Sequence, residues 1–431
     1  MWARRLRSCW TERLALQATV TALASVLLAW APLAHARGYT PQGRCGGYEK
    51  VSIASPTGSC VALVADEREG LRAPRRLLEI SPGRLWIIDM GSWVPRQGRL
   101  LELRLPAQPS ATPAQRPQVH VLADKLDRPL ALVRGPDAQI YIGEAGRIWR
   151  TPVPAAGQAI QAQTVLDQLP DDGAHPLKEI TFGPDGSLYV NIGSVSDRCQ
   201  DAQGALPYPC PERGAMQFRG AVWRAVLRNP AVKGQSPVQQ FAPFALGLRN
   251  SVALATLPDG PAAGSLWQAE NNIDYRDKNE PPEELNELVE GADYGWPYCL
   301  GQQRLARGYE QRARCTATKT PHMRWPAHTA PLHLLATPLA SPFNGQLLAA
   351  WHGPQGHRVV GFARQKDGKP GGQPVEWLTG WTADGKTRPL GRPTGLALNH
   401  AGQLMVVEDY NRSLLMLLPD TAATAAPAPQ R

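Results

Sequence analysis

Beyond its first forty positions the chain has no apolar run of the ~20 residues that a membrane-spanning helix needs. It has no extended Lys/Arg run, so nucleic-acid binding is not indicated. No C-x-x-C pair occurs, which argues against a zinc ribbon and against covalently attached haem. Glycine follows no three-residue period, which excludes collagen. G-x-S-x-G, H-E-x-x-H and G-x-G-x-x-G are also missing. Long helices have little room, because 40 glycines and 41 prolines are spread through 431 residues. Each Gly costs a helix interior ~1 kcal/mol and each Pro ~3 kcal/mol. Disorder is disfavoured in turn, since 43% hydrophobic residues and 13 tryptophans supply a core. A turn-rich, all-β protein remains.

The N-terminus reads as an export signal over residues 1–36. Arg4, Arg5, Arg7 and Arg13 precede an uncharged stretch that ends Ala34-His35-Ala36. Its apolar centre is shorter than a membrane span, so cleavage is expected, leaving no membrane span and a periplasmic or secreted protein. Loss of those arginines and Glu12 lowers the net charge from +9 to +6, a modest positive potential that could draw an anionic ligand. Six cysteines then remain in three local pairs: Cys45/Cys60, Cys199/Cys210 and Cys299/Cys315. Even number, short spacing and export together predict disulfides.

A repeat organises the chain. A polar or Pro-containing step leads to a short strand, a Gly/Asp/Pro turn and a second strand. The turns include Pro82-Gly83, Pro136-Asp137, Pro184-Asp185-Gly186, Pro258-Asp259-Gly260, Asn344-Gly345 and Ala401-Gly402. Such turns supply the positive-φ positions a hairpin needs. With Leu85, Ile140, Leu188, Leu266, Leu347 and Leu404 as markers, the spacings are 55, 48, 78, 81 and 57 residues. Blades of ~40–50 residues fit this length as a six-bladed β-propeller with long inter-strand loops over residues 37–419. A disordered tail is expected over 420–431. Pro281, the acids of 283–290 and Gly291 predict a short helix with a solvated acidic face.

Inner strands of a propeller line its channel. Arg128, His175, Arg249 and Arg392 each precede such a strand, so they are expected to converge at one mouth, a site for a multiply anionic ligand beside a titratable base. Gly380–Thr387 fits the Walker A pattern, but Pro389 and Pro393 follow where that motif needs a helix, and nucleotide binding is rejected.

At Gly247-Leu248-Arg249-Asn250, at Glu283-Glu284-Leu285-Asn286 with Gly295-Trp296-Pro297, and at His175 with Phe182-Gly183-Pro184-Asp185-Gly186, the chain resembles the soluble quinoprotein glucose/sorbosone dehydrogenases. That resemblance implies a six-bladed propeller using pyrroloquinoline quinone (PQQ) and calcium. It implies that His175 is the general base that takes a sugar hydroxyl proton while hydride passes to the quinone. It implies that Arg249 stabilises charge on the quinone oxygen with support from Asn250, and that Arg392 pairs a cofactor carboxylate. Arg128 is a cofactor ligand on the geometric argument alone. Calcium would be held by backbone carbonyls at Asn272 and Ile273. The partners implied are a sugar or sugar aldehyde and an external electron acceptor. The chain departs from the family's pattern at Asn272-Ile273-Asp274, at Lys178 and at His352-Gly353-Pro354-Gln355-Gly356. Those departures motivate a rival reading, a non-catalytic propeller that has lost PQQ. A further rival, a metal-dependent lactonase, would need carboxylate and Asn ligands in the channel.

Overall fold

The computed structural model describes residues 38–106, 116–155, 158–214, 218–228, 235–381 and 391–420. The leader, most of the Walker-like run and the tail from residue 421 lie outside them.

The described residues form six antiparallel sheets arranged as the blades of a propeller and a separate two-stranded sheet of Cys299–Leu300 with Arg304–Leu305, and 3-10 turns are the only helical pieces among them. Blade 1 comprises Pro74–Ser81, Arg84–Asp89, Gly98–Arg104 and Gln118–Leu126. Blade 2 comprises Ala131–Arg134, Ile140–Gly143, Ile148–Thr151 and Gln163–Leu166. Blade 3 comprises Ile180–Phe182, Leu188–Ile192, Ala221–Leu227 and Val238–Leu246. Blade 4 comprises Ala253–Thr256, Leu266–Glu270, Glu283–Leu288 and Met323–Trp325. Blade 5 comprises Pro331–Ala336, Leu347–Trp351, Arg358–Arg364 and Pro370–Leu378. Blade 6 is made by Pro393–Leu398, Leu404–Glu408 and Ser413–Pro419, and its fourth strand is Ser59–Ala65 from the other end of the chain. That pairing, Leu415 opposite Leu63 and Leu417 opposite Val61, closes the ring.

Every marker residue of the repeat falls in the second strand of a different blade. The turn before it sets the hairpin. Gly186 and Gly402 take φ of 77° and 74°, and blade 2 places Ala138 at φ 61° in the equivalent turn. Second strands are sandwiched between neighbouring blades. Ile140–Gly143, Leu188–Ile192 and Leu347–Trp351 are buried at every position, which explains continuous apolar runs in place of alternation. The core is distributed between blades. Leu85 and Ile87 of blade 1 pack on Met405 and Val407 of blade 6, and comparable apolar clusters fill the other junctions.

One expectation fails. Residues 283–288 form the third strand of blade 4 and not a helix. Their backbone is needed to pair Leu266–Glu270 with Met323–Trp325, and tertiary pairing outweighs the local helix signals. The acids are not solvated either: Glu283 and Glu284 are each 4% exposed.

The three predicted disulfides are present: Cys45–Cys60, Cys199–Cys210 and Cys299–Cys315. The latter two fasten loops of blades 3 and 4 that share a small core of Ile273, Trp296, Leu300 and Tyr309.

On the propeller axis, buried Arg76 of blade 1 pairs with buried Glu179, which precedes the blade 3 inner strand. Its guanidinium also donates to the carbonyls of Val252 (3.0 Å), Leu332 (2.6 Å) and Thr394. One side chain thus ties blades 1, 3, 4, 5 and 6.

Candidate active site

A cavity of about 480 Å³ opens where the chain enters the inner strands. His175, Arg249, Asn250 and Arg392 line it, together with Arg75, Trp93, Asp274, Glu283, His352 and Asp409. A collar of Leu177, Val252 and Leu332 borders it.

A repeated device sets the positions of its polar residues. A carboxylate at or next to the end of a second strand accepts the N–H of the segment that leads into the inner strand of the same blade. Asp89 takes Ala73 N–H (2.7 Å), Glu144 takes Asp127 N–H (2.7 Å), Glu270 takes Asn250 N–H (3.0 Å) and Glu408 takes Arg392 N–H (3.2 Å). These buried acceptors replace water for backbone donors that no sheet partner reaches. Burial pushes Glu270 and Glu408 up to about 7, against the hydrogen bonds that favour their charged forms.

Blade 3 uses a serine at this point. His175 Nδ1 lies 3.0 Å from the Ser194 carbonyl and 2.9 Å from Ser194 Oγ, whose own proton goes to the Ser196 carbonyl at 2.7 Å. Both partners of Nδ1 are acceptors, so the proton resides on Nδ1 and Nε2 is left as a free base. Burial, followed by the positive charge of Arg249, pushes His175 down to about 3. The imidazole is neutral at physiological pH and able to accept a proton.

Arg249 is 4% exposed. One terminal nitrogen bonds Asp274 (2.7 Å) and Asp197 (2.8 Å), and the other donates to the Asn271 carbonyl (2.9 Å). Its Nε and the neighbouring Asn250 Oδ1 are buried without a partner. Opposite, Asp409 holds Arg75 at 2.8 Å and approaches His352 Nε2 at 3.2 Å. Desolvation would raise Asp409, but Arg75, His352 and Arg392 outweigh it and hold the carboxyl well below the usual range.

Residues 143–355 match the family model described as Glucose / Sorbosone dehydrogenase. This stretch, just under half of the chain, is similar to the glucose/sorbosone dehydrogenase family. No curated protein sequence matches the chain. Among solved structures, the calcium structure of a Trichoderma reesei carbohydrate-active enzyme of family AA12 is 17% identical over 88% of this chain and 98% of that one, with a TM-score of 0.68. The holo PQQ domain of pyranose dehydrogenase from Coprinopsis cinerea is 18% identical over 88% and 100%, TM-score 0.64. The PQQ-bound aldose sugar dehydrogenase of Streptomyces coelicolor is 19% identical over 85% and 99%, TM-score 0.54. At these identities the likeness is one of fold.

The geometry sorts the expected site residues of this glucose/sorbosone dehydrogenase match. His175, Arg249, Asn250, Arg392 and Asn272 come together at the cavity. Arg128 does not line it. Its guanidinium bonds the Asp127 carboxylate (2.7 Å) and the Asp171 carbonyl (3.1 Å), because its φ of 42° belongs to a turn three residues ahead of the inner strand. Ile273 points into the core under the disulfide loops, and its carbonyl accepts Tyr275 N–H at 3.0 Å. Among the described residues no group of three or more His, Cys, Asp or Glu gathers to hold a metal. Arg75 is the residue that sequence reading missed. The repeat places it one residue after Pro74, whereas Arg128 and Arg392 precede their prolines.

The donor set fits a tricarboxylate quinone. Arg75, Arg249 and Arg392 offer cationic nitrogen around one cavity, and unpartnered polar atoms of Arg75, Arg249 and Asn250 are buried beside it.

Proposed function

We propose that the protein is a PQQ-dependent oxidoreductase acting on a sugar or sugar aldehyde, working outside the cytoplasm. One observation carries this reading: a neutral histidine with an unprotonated Nε2 shares a cavity with three arginines. Bound PQQ would supply a two-electron quinone able to accept hydride. His175 Nε2 would take the proton of the hydroxyl being oxidised, while Ser194 holds the ring through Nδ1. Arg249, already desolvated and fixed by Asp197 and Asp274, would place positive charge where an oxyanion develops. Asn250 would add a side-chain hydrogen bond, and Arg75 and Arg392 would pair carboxylates. Calcium would be held by the backbone carbonyls of Asn272 and Ile273 and would supply positive charge at the cavity. The disulfides and the predicted leader support an extracytoplasmic setting.

The test is reconstitution. Purified protein with PQQ and calcium should reduce an artificial dye with aldoses or sugar aldehydes, and His175→Ala should lower the rate at least ~100-fold. Dye reduction that survives His175→Ala undiminished would remove the base assignment. Failure of wild type to bind PQQ at micromolar levels would favour a binding propeller.

A further inference from the structure

Trp93 stands at the rim of the cavity and belongs to none of the roles assigned above. It lies on the segment joining the second and third strands of blade 1. Trp93 is 58% exposed and Val94 is 61% exposed, so a large apolar side chain is left in water beside a polar pocket. The segment is nevertheless fastened. Met90 N–H donates to the Ala73 carbonyl (2.9 Å), Ser92 N–H to the Met90 carbonyl (2.8 Å) and Val94 N–H to Ser92 Oγ (3.0 Å). Gly91 has a φ of 73°, and a Cβ there would meet the Gln97 carbonyl oxygen at 2.3 Å.

The ring also has a fixed neighbour. The Arg75 guanidinium carbon lies 5.9 Å from the indole centroid. Arg75 is 5% exposed, clamped by Asp409 at 2.8 Å, and its Nε has no partner. A cation packed on an indole orients the ring and is itself attracted to it. This wall therefore combines an exposed aromatic surface with an arginine and a carboxylate. That is the chemistry that recognises a ring-closed sugar: C–H groups pack on the aromatic surface and hydroxyls bond the polar groups.

We propose that Trp93 is a specificity-determining platform on which a pyranose lays its C–H face, with its hydroxyls turned toward Arg75 and Asp409. This rests on the sugar-oxidation reading and names the ring form of the substrate. An open-chain aldehyde has no such face and gains nothing from the indole.

The test uses the full mature chain with two probes, glucose and glyceraldehyde. In saturation-transfer NMR without cofactor, wild type should transfer saturation to glucose ring protons. Trp93→Ala should lose that transfer and Trp93→Phe should keep it. With PQQ and calcium added, Trp93→Ala should raise KM for glucose about tenfold, with kcat and PQQ affinity within about twofold and KM for glyceraldehyde unchanged. Val94→Ala serves as a control that keeps the indole, and melting temperatures check that each variant is folded. Equal glucose binding by Trp93→Ala and wild type would overturn the platform, as would absence of glucose binding by wild type. Glucose bound through Trp93 without dye reduction would leave the platform standing and remove the oxidation reading. Dye reduction with glucose that is indifferent to Trp93→Ala would do the reverse.

Discussion

Arg249 is joined to Asp197 by an ion pair of 2.8 Å that links the propeller cavity to a disulfide-fastened loop. Asp197 sits two residues before Cys199, and its carboxylate also accepts Asp274 N–H at 3.0 Å. Its carbonyl takes the Trp296 indole N–H at 3.0 Å. The Cys199–Cys210 and Cys299–Cys315 loops thus meet the cavity through one residue, Asp197. Replacing both Cys199 and Cys210 by Ser should lower kcat of the reconstituted enzyme several-fold. Arg249→Met should lower it ~100- to 1,000-fold, the scale of losing one preorganised charge stabiliser. A double-cysteine variant with unchanged kcat would show that the loop does not set the arginine.

The pH behaviour of His175 has a definite sign. An unfolded histidine titrates near ~6.5, and the folded one is pushed down to about 3 by burial and then by Arg249. Between those values the unfolded chain holds a proton that the folded chain does not. The stability contributed by neutral His175 is therefore fully present above ~6.5 and is lost as pH falls toward about 3. NMR should find the His175 imidazole neutral at pH 5 in wild type. Arg249→Gln should raise its pKa, because a positive neighbour is removed. An imidazole that titrates near ~6.5 in wild type would contradict this account.

Lys178 is fully buried and donates to the carbonyls of Pro170 (2.7 Å) and Pro176 (2.6 Å), the latter adjacent to His175. Burial and then Arg219 lower it to about 7. Lys178→Met should strand both carbonyls, costing about 1–3 kcal/mol in denaturant unfolding. It should also reduce kcat by loosening the segment that carries His175. A variant as stable as wild type would show that these two bonds contribute nothing net.

Arg76 and Glu179 form a charge pair at the axis, each 2% exposed at its side chain. Removing one partner leaves a buried charge, so Arg76→Met should destabilise by about 3–5 kcal/mol. Arg76→Met combined with Glu179→Gln should recover part of that loss, because no charge remains unpaired. Chemical denaturation of both variants measures the difference.

Blade 6 depends on both chain ends. Deleting residues 38–65 removes Ser59–Ala65 and the two strands paired beyond it, Tyr48–Val51 and Arg44–Cys45, and exposes the edge of Ser413–Pro419. The expected outcome is a protein that aggregates or melts well below wild type. An unchanged melting temperature would contradict closure by this strand.

How much was legible follows from the range of each interaction. Hairpin turns are local, so Pro184-Asp185-Gly186 and its counterparts revealed six units and the strands that follow. The cysteine pairs are local too, and all three formed as spacing indicated. His175, Arg249 and Arg392 were legible because each stands where its blade enters the inner strand. Arg128 stands in the same sequence position, yet its turn sends it to Asp127 and Asp171. No local signal separates the two cases.

By itself the sequence determined the number of blades, their hairpins and the disulfide pairs, because turn chemistry and short loops act over a few residues. Only the tertiary structure decided that residues 283–288 form a strand, since their pairing partners lie 14 to 42 positions away. It alone placed Arg75 and Asp409 on one wall, 334 residues apart in the chain, and left Trp93 facing solvent above them. Closing a ring brings together residues that no short-range rule connects, and the cavity is a product of that closure.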